Sequence, residues 1–176
     1  MASQLRVDKI VPVDGAPTSG GGGIVQIVSA TKTDRQLSNS SAYVDVTGMS
    51  VSITPKFSSS KMFIMINVHV GGDQASYLGF RVLRDSTVVT QGTHATGNRT
   101  NVTFGGRIDQ DYDNYMMAFN FLDSPSTTSA ITYKLQVSDV YDSANRNIVI
   151  NGTGDDANAT YTLCGTSTIS VMEVSA

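Results

Sequence analysis

The aspartates at positions 109, 111 and 113 have the spacing that comes nearest to a known chemical site. The run 109–113, Asp-Gln-Asp-Tyr-Asp, alternates carboxylates as the start of a calcium-binding loop does, and carboxylate oxygens suit a hard cation. Such a loop has glycine at its sixth position and glutamate at its twelfth, where this chain has Asn114 and Asn120. We therefore keep Asp109, Asp111 and Asp113 only as a weak calcium candidate. The other interpretation is a solvated acidic turn before the next strand.

The side chains that catalysis uses most often are few and scattered. His69 and His94 are the two histidines, and neither lies in a metalloprotease motif. Glu173 is the single glutamate, and no G-x-S-x-G sequence is present, so neither a carboxylate pair nor a nucleophile elbow stands out. The lone Cys164 excludes an intrachain disulfide and a cysteine-based metal cage. The sequence predicts no enzymatic activity and no cofactor, and favours synthesis in a cytosol.

Charge and hydropathy exclude two classes of partner. The formal net charge is −3, and the 12 basic residues form no Lys/Arg run. We therefore expect no nucleic-acid partner. No stretch approaches the roughly 18 apolar residues that span a bilayer, and the N-terminus has no apolar core of a signal peptide. We therefore expect no membrane insertion.

The elements that position these residues are predicted to be β-strands. Strong helix formers are scarce, and β-branched and turn-forming residues are abundant. Apolar residues alternate with polar ones in nine or ten segments, namely 24–28, 43–53 with an interruption at Gly48, 61–70, 78–83, 87–90, 102–108, 114–122, 130–137, 147–150 and 161–174. Arg84-Asp85-Ser86 indicates a hairpin turn, and Gly105-Gly106 a bulge. The prediction is an all-β fold, an antiparallel jelly-roll-like β-sandwich over residues 24–176.

Residues 1–23 are predicted to form an extended arm. Prolines and an Asp-Gly pair prevent a long regular element. The arm ends in a flexible hinge of four glycines, Gly20, Gly21, Gly22 and Gly23. Its apolar residues cannot make a core alone, and we expect them to bury against a neighbouring protein; they are Leu5, Val7, Ile10, Val11 and Val13.

Two of the predicted strands are apolar on both faces. Phe63 and Met65 add apolar side chains to the second face of segment 61–70. In segment 114–122 one face carries four large apolar residues, and the other carries Met116, Ala118 and Leu122. Because a solvated sheet is polar on its outer face, either a second subunit covers these strands or the chain's own loops do. The predicted interface residues are Phe63, Met65, Tyr115, Met117, Phe119 and Phe121.

Several segments resemble small structural proteins of marine tailed bacteriophages. The similar segments cover nearly the whole chain, and they are 43–55, 58–62, 82–87, 121–125, 132–137 and 167–173. The opening 5–10 together with the glycine run is similar to the virion-attachment ends of such fibres. The resemblance implies a trimeric jelly-roll-like domain on a virion, of the tail-fibre, head-fibre or capsid-decoration type. The chain has no shaft, coiled coil or collagen repeat, which favours a short knob or a decoration protein over a long fibre.

Two hypotheses of different classes remain. The first is a structural component of the virion, made in the host cytoplasm, that forms a homotrimer and docks on a capsid or tail protein through its arm. The second is a receptor- or glycan-binding module of a tail fibre, whose contacts with a host surface glycan or receptor come from loop tyrosines and Asp/Asn-rich turns.

Overall fold

The computed structural model describes residues 23–94, 96–141 and 146–175, and within them every regular element is a β-strand. There are eleven strands in this part of the chain: β1 (Ile24–Lys32), β2 (Gln36–Ser38), β3 (Val44–Ile53), β4 (Lys61–Gly72), β5 (Tyr77–Arg84), β6 (Thr87–Thr90), β7 (Phe104–Arg107), β8 (Asn114–Asp123), β9 (Ile131–Asp139), β10 (Ile148–Ile150) and β11 (Ser167–Val174). The described residues contain no helix long and apolar enough to cross a membrane. The predicted all-β class is confirmed.

The strands form two antiparallel sheets. Sheet I has the order β1-β11-β4-β10-β2, and β8 also pairs with β4. Because β8 and β11 both pair with β4 over residues 62–67, they must lie on opposite edges of it. Sheet II has the order β3-β9-β5-β6, with β7 also on β5. The two sheets make a jelly-roll-like sandwich, as the sequence predicts.

The core lies between the two sheets. Alternate residues of β4, from Met62 to Val70, are almost completely buried, and Tyr133, Leu135 and Val137 of β9 are buried in the same cluster. This is the period-two pattern expected of a strand with one face toward the core. Each such large side chain contributes roughly 1.5–3 kcal/mol of hydrophobic stabilisation, so the sandwich is held chiefly by this layer.

Two local predictions are corrected. The pair Gly105-Gly106 forms no bulge, since it pairs in regular register with Leu78 and Gly79 of β5. The two glycines instead allow β7 to lie close to β5 and β8. A Cβ at Gly105 would collide with the Leu78 carbonyl oxygen, and one at Gly106 would lie 2.8 Å from Met117 Cε. The last strand begins at Ser167, and the preceding residues from Tyr161 are loop.

The sequence pattern also missed β2, because three residues are too few to show a period. At Gly48 the chain does not break, since β3 runs through it with a register shift and a positive φ of 83°. That conformation is one that glycine adopts without steric cost.

The predicted arm, with Leu5, Val7, Ile10, Val11, Val13 and the hinge glycines 20–22, lies outside the described residues. Gly23 is described, and its carbonyl oxygen accepts a hydrogen bond of 3.0 Å from the Ser175 amide. The chain therefore enters sheet I beside the end of β11, where β4 begins.

Candidate functional site

A row of large apolar side chains crosses four strands of sheet I on the face turned away from the core. We call this side the outer face. Ile27 of β1 lies opposite Met172 of β11, which lies opposite Phe63 of β4, which lies opposite Leu122 of β8. Directly paired side chains have Cβ atoms about 4.5–5.5 Å apart, so the four form a continuous strip. Ile27 and Leu122 at its ends are 55% and 52% exposed.

The next rows along the strands mix apolar and polar side chains, since Met65 lies opposite Ser170 and Asn120, and Ala118 lies opposite Asn67. Met65 follows Phe63 on the outer face of β4, and Asn120, Ala118 and Met116 follow Leu122 on that of β8. Met116 is 52% exposed. We define the docking face as the outer-face residues Ile27, Phe63, Met65, Met116, Ala118, Leu122 and Met172. Its continuous apolar part is the row from Ile27 to Leu122, and an exposed apolar row of this kind marks an interaction surface.

The docking face reaches an open sheet edge at β8. Among the residues that the structure describes, β8 pairs as a strand only with β4. Its ten residues carry no proline, and no charge precedes the terminal Asp123. Proteins ordinarily protect a long uncharged edge with charges, bulges or a covering element, because its free amides and carbonyls pair with other strands. The edge and the apolar rows therefore form one surface suited to a protein partner.

The six predicted interface residues do not lie on one face. Phe63 and Met65 lie on the docking face and are half-buried. The other four, Tyr115, Met117, Phe119 and Phe121, are paired in register with core residues of β4 and lie on the inward side of β8. Met117 and Phe121 pack against the core there, whereas Tyr115 is 43% exposed. Their part in a subunit interface stays a prediction.

The inward side of β8 forms an aromatic ladder with sheet II. The Phe119 ring lies 5.5 Å from the ring of Phe104 on β7 and 5.7 Å from that of Phe121. Phe104 in turn stacks on Phe80 of the core at 4.8 Å. Offset aromatic pairs at these separations are favourable, so the ladder attaches β8 to the core.

Sequence reasoning placed Met116 and Leu122 on the second face of their strand but left them out of the interface, and it missed Ile27 and Met172 entirely. The only signal for Ile27 and Met172 was an apolar residue in an alternating strand, which looks the same on an inner and an outer face. Their position beside Phe63 depends on the pairing of β1, β11 and β4, which are distant in sequence.

The far end of the outer face is covered by the chain itself. The β10–β11 loop, residues 151–166, crosses β4 at His69: a Cβ at Gly165 would lie 2.5 Å from His69 Cγ. His69 Nδ1 lies 2.6 Å from Asn114 Oδ1, and Asn114 Nδ2 donates to the Gly152 carbonyl oxygen at 2.8 Å. Of the two interpretations of the doubly apolar strands, cover by the chain's own loop therefore applies at this end only.

Glu173 fixes the end of sheet I where the row lies. Its carboxylate is fully buried and accepts hydrogen bonds from Gln26 Nε2 at 2.6 Å and from the amides of Lys56 and Phe57 at 2.8 and 3.2 Å. The single glutamate of the chain is therefore structural: it joins β1, β11 and the segment after β3.

Asp123 connects the end of β8 to sheet II. Its Oδ2 accepts hydrogen bonds of 2.6 Å from Arg84 Nη1 and from the Tyr133 hydroxyl. Burial, followed by the hydrogen bond to Asp123, raises the pKa of Tyr133 far above its ordinary value, so the phenol stays protonated and donates.

The three aspartates of the weak calcium candidate are engaged separately. Asp109 pairs with Arg107, and Asp111 Oδ1 accepts from the Gln74 amide at 2.5 Å. Asp113 Oδ2 accepts from the amides of Asp109 and Gln110 at 3.2 and 3.0 Å. Within the described ranges no three His, Cys, Asp or Glu side chains converge as metal ligands. The three carboxylates are therefore engaged by Arg107 and by backbone amides, two of them in the turn itself.

Comparisons with known proteins give no close relative. No protein-family model and no curated protein matches the chain. Among solved structures, the chain is similar to infectious bursal disease virus Gt strain, with 13% identity, a TM-score of 0.44, and coverage of 99% of this chain and 44% of that chain. The VP2 subviral particle of the same virus gives 16% identity, a TM-score of 0.40, and coverage of 85% and 39%. This chain thus spans less than half the length of those proteins, and at such TM-scores the likeness carries no argument.

Proposed function

We propose that this protein is a structural component of a phage virion: a short trimeric fibre, knob or capsid-decoration protein anchored by its N-terminal arm. The observation that carries the proposal is the docking face, whose continuous apolar row from Ile27 to Leu122 ends at an open strand edge. A surface of this kind supports assembly, and the sequence resemblance supplies the virion setting.

The occupant we assign to the docking face is a second copy of this chain. The row from Ile27 to Leu122 carries no charge, so a different patch of another copy can cover it without burying a charge of the row. The open edge of β8 offers main-chain pairing or close packing to that copy, and it lies on one side of the sheet only. A contact between two different patches of the same molecule is heterologous, and it closes into a ring when the rotation allows. Three copies give the ring implied by the resemblance.

The arm supplies attachment to the particle. It leaves the sandwich at Gly23, at the same end as the apolar row. Burial of its five apolar side chains would yield about 7–12 kcal/mol before ordering costs, at roughly 1.5–3 kcal/mol each. The conformational entropy lost when the arm becomes ordered offsets much of this free energy, so a single arm binds weakly. Three arms that bind together gain about 100-fold or more in avidity.

Removal of residues 1–20 tests the proposal. We expect the truncated chain to keep the folded trimer, because the docking face lies in the sandwich, and to lose incorporation into particles. Circular dichroism and light scattering check the fold and mass, and quantitative gel analysis of purified particles measures occupancy. Full occupancy of the truncated chain would show that attachment belongs to the β domain and not to the arm.

A further inference from the structure

A cleft of about 390 Å³ opens between two loops at one end of the sandwich, lined by Tyr112, Asp155 and Tyr161. Tyr112 lies in the loop before β8, and the other two lie in the β10–β11 loop. The Asp155 amide donates to the Asp111 carbonyl oxygen at 2.8 Å, which ties the loops together directly below the cleft. This volume falls at the lower end of the range for small-molecule sites, about 300–1,000 Å³.

The cleft walls are held by backbone contacts. Gly71 and Gly154 allow the chains to approach so closely that a Cβ at either would collide with backbone atoms of the neighbouring segment. Asp155 Oδ1 accepts a hydrogen bond of 3.0 Å from the Ala157 amide, and Thr153 Oγ1 donates to the Asp155 carbonyl oxygen at 2.6 Å. The position of the Asp155 carboxylate is therefore set before any ligand arrives, which reduces the ordering cost of binding.

The cleft chemistry combines two exposed aromatic rings with a hydrogen-bond acceptor. Tyr112 and Tyr161 are each 55% exposed, so both rings are accessible to a ligand in the cleft. The negative face of an aromatic ring attracts weakly positive C–H groups. An ionised aspartate accepts from hydroxyl groups, and the phenol hydroxyls donate and accept. A sugar ring presents exactly these two features, a C–H face and a rim of hydroxyls.

We propose that this cleft binds a neutral saccharide, one or two sugar units long, with its C–H faces on Tyr112 and Tyr161 and a hydroxyl pair on Asp155. Five aspartates lie on the two loops. Asp109 pairs with Arg107 and Asp156 with Arg35, whereas Asp111, Asp113 and Asp155 accept from backbone amides and leave the loops negative, so an anionic sugar or a phosphate is repelled. A quaternary ammonium ion would also be attracted to rings and carboxylates, but it requires a cage that surrounds the cation. Two rings that are each more than half exposed do not surround it.

The cleft lies at the opposite end of the sandwich from Gly23. The arm enters beside Lys61 at the start of β4, and the cleft loops meet β4 at Gly71 and Gly72. At about 3.3 Å per residue these ends are roughly 35 Å apart. If the arm anchors the domain, as proposed above, the cleft points away from the particle. The saccharide site itself does not depend on that assignment.

Saturation-transfer NMR on the full-length protein tests the site. The probes are the methyl glycosides of glucose, galactose, mannose and N-acetylglucosamine at millimolar concentration, with choline chloride as the cationic alternative. We expect at least one glycoside to bind with a dissociation constant on the order of 1 mM, since a single shallow site provides few contacts.

The variants assign the binding to the cleft. We expect Tyr112→Ala and Tyr161→Ala to weaken it about tenfold or more, and Tyr161→Phe, which keeps the ring, to retain most of it. Tyr141→Ala is the matched control, because Tyr141 is 59% exposed but does not line the cleft. The proposal is overturned if no glycoside binds, if binding is unchanged in both alanine variants, or if choline binds in place of the sugars. None of these results bears on the trimer or the arm.

Discussion

Glu173 shows how one residue controls the geometry of a whole sheet end. The three hydrogen bonds that its buried carboxylate accepts compensate the free-energy cost of removing the carboxylate from water. Loss of the carboxylate would leave the Lys56 and Phe57 amides unpaired. We expect Glu173→Ala to lower the free energy of unfolding by about 3 kcal/mol, from two or more charge-assisted hydrogen bonds. Glu173→Gln keeps an acceptor for both amides and should cost about 1 kcal/mol. Urea unfolding at one fixed protein concentration measures both, and equal losses for the two variants would contradict this role.

The contacts of Asp45 make the stability of the fold depend on pH. Its carboxylate accepts from Gln136 Nε2 at 2.5 Å and from Lys134 Nζ at 2.9 Å. These two hydrogen bonds, in that order of importance, lower the pKa of Asp45 below its ordinary value of 3.8. A carboxyl group with a lowered folded-state pKa stabilises the fold above its unfolded-state pKa, and this contribution is lost as the pH falls through the folded-state value.

We therefore expect the stability difference between the native protein and Asp45→Asn to be constant near neutral pH and to shrink below about pH 3.8. Thermal unfolding of both proteins from pH 7 down to pH 2 measures it. Parallel curves over the whole range would show that the Asp45 contacts contribute no proton linkage.

At the scale of elements, the β10–β11 loop decides how much of the outer face is open. The position of this loop against β4 depends on Gly165, because a Cβ there would lie 2.5–2.8 Å from three atoms of His69. We expect Gly165→Ala to displace the loop and cost about 1–3 kcal/mol, the usual range for overpacking. Calorimetry measures the loss. Gly92→Ala is the matched control, since the nearest atom to its Cβ would be at 3.8 Å, and it should change stability by less than about 0.5 kcal/mol.

At the scale of the whole molecule, the docking face predicts the oligomeric state. We expect light scattering to give three times the chain mass of 18.7 kDa for the native protein. Leu122→Lys places a charge in the apolar row and should release monomers, because an unpaired charge in an apolar interface is strongly unfavourable. Leu37→Lys is the matched control: Leu37 is a leucine of similar exposure, 48%, on β2 of the same sheet but outside the row. A native monomer at micromolar concentration, or equal effects of the two lysines, would reject this interface.

The sequence alone determined the fold class and most of the strands. Alternation in β4 and β9 is a local property, because successive side chains of a strand point to opposite faces whatever the strand pairs with. For the same reason it showed that Phe63 and Met65 share the second face of β4. It also predicts an arm and hinge over residues 1–23; this stays a prediction, since of these residues the structure describes Gly23 alone.

Only the tertiary structure decided which side chains come together. Ile27, Met172, Phe63 and Leu122 belong to strands far apart in sequence, and their common row exists only in one register, since a slip of one residue turns a side chain to the other face. The inward direction of Phe119 and the cover over His69 were settled in the same way, by pairing with β4 and by the packing of a loop. Alternation fixes the two faces of each strand, but it contains no information about which face meets the core or which strand lies alongside.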